Sequence, residues 1–173
     1  MKQQLIIIRG PPGIGKTTIA KELAKKLPNN VAVIDSDILR WDFIPKKTKT
    51  FNDHKVVYKS LFDLTKNYLD NGLNVIVEGI LSARTSSETL RIDKYAGFRK
   101  KGVKVTYIFL KGTDNIQDKR VKSRKKDWIY QPTKKDIKGW TKLSYSSISK
   151  NDNIINSNKS KKAILKDILT LIK

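Results

Sequence analysis

The chain has 173 residues, 38% of them hydrophobic, with 37 basic against 16 acidic side chains for a formal charge of +21. That length suits one domain, residues 1–173, with a real core; the absence of cysteine excludes disulfides, thiolate metal sites and cysteine nucleophiles, and the lone His54 cannot build a metal cluster. No apolar run approaches the roughly 20 residues that cross a bilayer, and the N-terminus lacks the order of a signal peptide, so a cytoplasmic protein with no membrane partner is expected.

In chain order, Leu5 to Ile8 read as a buried strand, and Gly10-Pro11-Pro12-Gly13-Ile14-Gly15-Lys16-Thr17-Thr18 follows at once. This is the G-x-x-x-x-G-K-[ST] pattern, in which main-chain N–H groups wrap phosphates, the lysine reaches the outer phosphates and the hydroxyl ligates Mg²⁺. Gly10, Pro12, Gly13, Ile14, Gly15, Lys16, Thr17 and Thr18 are therefore candidates to bind a nucleotide such as ATP, with Thr17 a metal ligand and Lys16 also catalytic. A helix starting near Lys16 aims its positive dipole end at the anion. Its apolar face, Ile19, Leu23, Ala24 and Leu27, argues against the alternative of a glycine turn that binds nothing.

Val31 to Ile34 is a continuous apolar run, typical of a parallel strand buried on both faces. It leads into Asp35-Ser36-Asp37, two carboxylates that can divide labour near a triphosphate: Asp35 orients Mg²⁺ or its waters, while Asp37 accepts a proton from an attacking hydroxyl. Arg40 stands nearby to hold an anionic substrate. The competing reading of Asp37 is a helix cap. Ile38 to Asn52, with Trp41, Phe43, Pro45 and Phe51, has no clear element and is placed to cover a substrate pocket.

A helix over about 53–71 stops at Gly72, and a strand over 73–77 ends in Glu78-Gly79. Glu78 can hold Mg²⁺ through water, bond a substrate hydroxyl, or be an ordinary charged loop residue. Ser82, Arg84 and Thr85 follow in a polar loop suited to lining the acceptor site. A helix over about 86–101, a strand over 103–110 and a helix over 114–126 come next. Lys119 to Lys126 is the densest basic run, in which Arg120 and Arg124 share a helical face and can clamp a transferring phosphoryl group, or form part of a solvated surface. Trp128, Tyr130 and Trp140 either stack on bases or pack under a lid. A helix over 133–145, a short strand over 153–156 and a helix over 160–172 complete a layered α/β pattern with ligand at the carboxyl ends of the strands.

The stretches 10–18, 31–37 and 75–79, with Arg120 and Arg124, resemble the P-loop kinases of the zeta-toxin and chloramphenicol-phosphotransferase type. The Asp37 to Arg40 spacing is similar to that in the kinase domain of polynucleotide kinases. The resemblance implies an α/β P-loop NTPase fold with a five-stranded parallel sheet flanked by helices, ATP with Mg²⁺, a basic mobile lid at about 120–138 and γ-phosphoryl transfer to a hydroxyl. It implies Asp37 as base, Arg120 and Arg124 as lid residues, and Ser157 and Asn158 beside the adenine.

The expected function is thus ATP-dependent phosphorylation of a hydroxyl on a small metabolite, nucleotide derivative or antibiotic. The excess positive charge keeps two alternatives open: a polynucleotide 5′-hydroxyl kinase, or a non-kinase ATP-dependent regulator that binds nucleic acid. A solvated lysine-rich surface accounts for the same charge without any nucleic-acid partner.

Overall fold

Gln4–Arg9 (β1), Val31–Asp35 (β2), Asn74–Gly79 (β3), Lys104–Lys111 (β4) and Asp152–Asn156 (β5) pair into one all-parallel sheet, in the spatial order β2-β3-β1-β4-β5. The computed structural model describes residues 2–44, 53–82, 91–113 and 133–173, apart from the side chain of Arg91. After β1 the chain builds β2 and β3 on one side and then crosses to build β4 and β5 on the other. The carboxyl end of β1 is therefore the switch point of the sheet, where open α/β folds bind ligands.

Successive side chains of β1 point to opposite faces. Leu5 and Ile7 enter a core with Val57, Leu61 and Leu69 of the helix Asp53–Asp70 (α2) and with Ile92, Tyr95 and Phe98 of the 3₁₀ segment Arg91–Lys101. Ile6 and Ile8 enter a second core with Ile19, Ala20 and Leu23 of Lys16–Ala24 (α1) and with Ile164, Leu165 and Ile168 of the terminal helix. Every side chain from Leu5 to Arg9 is fully buried, so helices cover both faces of the central strand.

Helix boundaries follow the local chemistry. At the end of α2, Gly72 N–H bonds Leu69 O and Leu73 N–H bonds Tyr68 O, the paired bonds of a Schellman stop. Gly102 and Val103 make the same pair to Arg99 and Phe98. Thr133 and Asp136 form a reciprocal capping box that starts Lys134–Ser146 (α3), and the Ser160 hydroxyl caps Lys161–Ile172 (α4).

Two expectations are corrected. The run 31–34 forms a strand, but β2 is the edge of the sheet with β3 as its one neighbour, and Val33 is 37% exposed. A continuous apolar run records apolarity and not how many neighbours a strand finds. The predicted helix ending at Lys101 is a 3₁₀ segment over Arg91–Lys101, its expected first residues lying outside the described ones. The five parallel strands and the helices on both faces are as expected from the sequence. The helix over 114–126, the Lys119 to Lys126 run and the proposed lid up to residue 132 lie outside the described residues.

Candidate active site

The glycine loop occupies the switch point. Gly10 lies so close to β4 that a Cβ there would sit 2.6 Å from Leu110 O, a separation no side chain tolerates. Gly15, at φ +104°, is the residue before α1, whose first helical residue is Lys16. Within the loop Pro11, Pro12, Gly13 and Ile14 are buried, while Thr17 and Thr18 are exposed on the first turn of α1. The buried Lys16 donates from Nζ to Pro11 O at 3.0 Å, so its ammonium is folded back over the loop that it is expected to serve.

Carboxylates from the two strands on one side of β1 converge on this loop. Asp35 ends β2 in register with Glu78 of β3, and Glu78 is in register with Ile8 of β1. The Thr17 hydroxyl donates a hydrogen bond to Glu78 Oε1. Glu78 is 2% exposed. Burial, the negative charge of Asp35 and a hydrogen bond with Asp35 push its carboxyl up to about 8, against the opposing pull of Lys16 and Thr17. Glu78 thus belongs with Thr17 and Asp35 beside the phosphate loop, and the reading of it as an ordinary loop charge fails.

Hydroxyl and carboxylate oxygens on neighbouring elements suit a hard divalent cation. Among the described residues no group of three His, Cys, Asp or Glu side chains gathers to cage an ion. That donor set fits Mg²⁺, which keeps waters and substrate phosphates as ligands and needs only one or two carboxylates.

Asp35 Oδ1 accepts from the main-chain N–H of Asp37 at 2.7 Å, so the first carboxylate orients the backbone that carries the second. Asp37 precedes a π-helical turn, Ile38–Asp42, yet its side chain makes no capping hydrogen bond. The cap reading therefore does not account for this carboxylate. Arg40, in that turn, is engaged by Asp53 at the start of α2 at 2.8 Å, contacts the His54 ring nitrogen at 3.2 Å and lies over the Trp41 ring at 4.8 Å. It ties the segment after β2 to α2.

On the other side of β1, Ser157 and Asn158 follow β5 and abut the loop. A Cβ on Gly112 would lie 2.6 Å from Ile14 Cδ1, 2.8 Å from Ser157 Oγ and 3.0 Å from Asn158 Oδ1, so the four residues meet at one corner. Ser157 is fully buried, and its Oγ has no hydrogen-bond partner among the described residues. Asn158 Oδ1 accepts from Thr113 N–H at 3.2 Å. Thr85, Arg120 and Arg124 lie outside the described residues, as do Arg84, Phe51, Trp128 and Tyr130, whereas Ser82 is described and buried.

Sequence reasoning passed over Arg9. It ends β1, is fully buried, and grips Asp152 with a bidentate fork, Nε to Oδ1 at 3.1 Å and Nη2 to Oδ2 at 3.0 Å. The available signal was an arginine closing an otherwise apolar central strand, a position that demands a buried partner.

A parallel sheet with a glycine loop at its switch point, followed by lysine and threonine on the first helical turn and faced by carboxylates from the two strands on one side, defines the P-loop NTPase fold. Residues 5–140 match the family model described as an AAA domain, and the chain belongs to that family. No curated protein matches the chain in sequence. Among solved structures it is similar to a sugar kinase from Janibacter sp., with TM-score 0.68, 17% identity, and 98% of this chain and 94% of that one covered. It is similar to the Mycobacterium tuberculosis APS kinase in complex with AMPPNP and APS, with TM-score 0.65, 14% identity and coverage of 99% and 98%. It is also similar to the Deinococcus radiodurans tunicamycin resistance protein, with TM-score 0.65, 18% identity and coverage of 99% and 96%. At these identities the likeness is one of fold. No helix among the described residues is long and apolar enough to cross a membrane.

Proposed function

We propose that this protein is an ATP-dependent kinase that transfers the γ-phosphoryl group to a hydroxyl of a small molecule or nucleotide derivative. The observation that carries the reading is the convergence of Lys16, Thr17, Asp35 and Glu78 at the carboxyl end of β1. The kinases of matching fold support it, one of them bound to AMPPNP.

In the mechanism, main-chain N–H groups of Gly13 to Thr18 and the α1 N-terminus bind the phosphates. Lys16 leaves Pro11 O for the outer phosphates, and Thr17, with Glu78 and Asp35, would hold Mg²⁺. Held there, Mg²⁺ would supply positive charge to offset that of the transferring phosphates. Asp37 orients the acceptor hydroxyl and takes its proton as the acceptor oxygen bonds to the γ-phosphorus and the bond to the departing ADP oxygen breaks. Ser157 and Asn158 border the adenine. Arg40 and Thr85 are assigned to acceptor binding, and Arg120 and Arg124 to neutralising the transferring group.

The test is ADP production screened against sugars, other alcohol-bearing metabolites, aminoglycosides, nucleotide sugars and short oligonucleotides. The parent responds to one acceptor class, and Lys16→Ala and Asp37→Ala both fall by at least about 10²-fold. ATP turnover that no acceptor accelerates overturns the reading. The +21 charge favours one second reading, a polynucleotide 5′-hydroxyl kinase. Oligonucleotide affinity that falls steeply with salt supports it, and no oligonucleotide binding at low salt removes it.

A further inference from the structure

Arg9 does more than satisfy a buried charge. Besides its fork to Asp152, it donates from Nη1 to Leu81 O at 3.0 Å and from Nη2 to Ser147 O, and its guanidinium carbon lies 5.3 Å from the centre of the Phe109 ring. One side chain, on the residue before the glycine loop, thereby joins the segment after β3 at the carboxyl end of the sheet to the end of α3 and the start of β5, which lies level with Ile7. A buried ion pair seldom recovers its desolvation cost and is often replaceable by apolar groups of similar size without loss of stability. Stability alone is therefore a poor account of an arginine here, whereas three separate segments meeting on one rigid fork make a good one.

The Leu81 contact leads directly to the carboxylates. Leu81 holds φ at +50°, a left-handed conformation unusual for a branched residue, and the Arg9 hydrogen bond to its carbonyl is among the contacts holding it there. A Cβ on Gly79 would lie 3.3 Å from Leu81 Cδ2 and 2.1 Å from Ser36 Oγ, so Gly79 is packed between Leu81 and the residue separating Asp35 from Asp37. Gly79 is also in register with Arg9 itself, one residue beyond the Ile8 and Glu78 pair.

Accordingly we propose that Arg9 is a positioning residue for the Mg²⁺ and proton-transfer carboxylates. Its fork, anchored by Asp152, sets the exit of β3 and, through Gly79 and Ser36, the exit of β2 against the phosphate loop. This rests on the kinase reading and deepens it. The main chain that wraps the phosphates is left intact when the Arg9 side chain is replaced, so binding of free ATP and its coupling to Mg²⁺ separate.

The experiment is calorimetry of ATP, with and without Mg²⁺, on the parent, Arg9→Met and the double variant Arg9→Met/Asp152→Leu, alongside thermal melts. Mg²⁺-free ATP affinity stays within about twofold in all three, while the gain in affinity on adding Mg²⁺ falls by roughly 10-fold in both variants, the scale on which outer partners tune a metal site. The double variant recovers most of the stability lost in Arg9→Met because no unpaired buried carboxylate remains. Amide exchange over residues 79–82, which requires no nucleotide, is faster in both variants than in the parent. A double variant with parental Mg²⁺ coupling, or equal loss of ATP binding with and without Mg²⁺, overturns the positioning role and leaves the kinase reading standing. A parent that binds no ATP under either condition brings down the kinase reading and this role together.

Discussion

The Thr17 hydroxyl donates to the Glu78 carboxylate, so the residue expected to ligate Mg²⁺ is held by a carboxyl that burial and Asp35 push up to about 8. Burial and Asp35 therefore favour the protonated form of Glu78 in the nucleotide-free protein, and the sign of its linkage to stability follows. The native state binds one proton more than the unfolded chain between the ordinary value of 4.5 and about 8, so stability falls as pH rises through that window and levels off above it. The slope is at most ~1.4 kcal/mol per pH unit, or roughly 2–4 °C in Tm for each kcal/mol. Thermal melts of the parent from pH 5 to 9 show this decline, and Glu78→Gln flattens it. A Gln variant that declines as steeply as the parent assigns the proton to another group.

Asp37→Asn is expected to separate binding from chemistry. The main-chain N–H that Asp35 holds is kept, so the segment after β2 retains its path while the base is lost. ATP affinity by calorimetry stays within about twofold, and acceptor-dependent turnover drops about 10²- to 10⁴-fold, the usual contribution of a general base. Turnover near the parental rate removes Asp37 from the proton-transfer role.

Arg40→Ala takes a guanidinium partner from Asp53, which is largely buried at the start of α2. The pair is partly open to solvent on the arginine side, so a loss of about 1 kcal/mol is expected, or roughly 2–4 °C in Tm. Because Trp41 and His54 also meet this guanidinium, Arg40→Lys restores little of it. Melts of both variants check this, and full recovery with lysine excludes the planar contacts as the cause.

Gly112→Ala places a methyl group against Ile14, Ser157 and Asn158 at separations of 2.6 to 3.0 Å. Overpacking of this kind costs about 1–3 kcal/mol, and here the displaced neighbours include a residue of the phosphate loop. ATP affinity should weaken together with stability, whereas Gly139→Ala, with nothing within 4 Å of its added carbon, should leave ATP affinity unchanged. Equal ATP affinity in the parent and the Gly112 variant disconnects this corner from the nucleotide.

Sequence by itself determined the local matters. The spacing of Gly10, Gly15, Lys16 and Thr17 announced a phosphate loop, apolar runs marked five strands, and Gly72, Gly102, Thr133 and Ser160 marked helix ends, because each depends on residues within a turn or two of one another. Tertiary structure alone decided which strands become neighbours. It turned Val31–Ile34 into an edge strand, brought Glu78 onto Thr17 across 61 residues and closed Arg9 onto Asp152 across 143. Hydrophobic periodicity tells a strand which face to bury and says nothing about what packs beside it. The pairing of buried charges is settled when the sheet assembles and water leaves, since only then does an unpartnered guanidinium or carboxylate become costly.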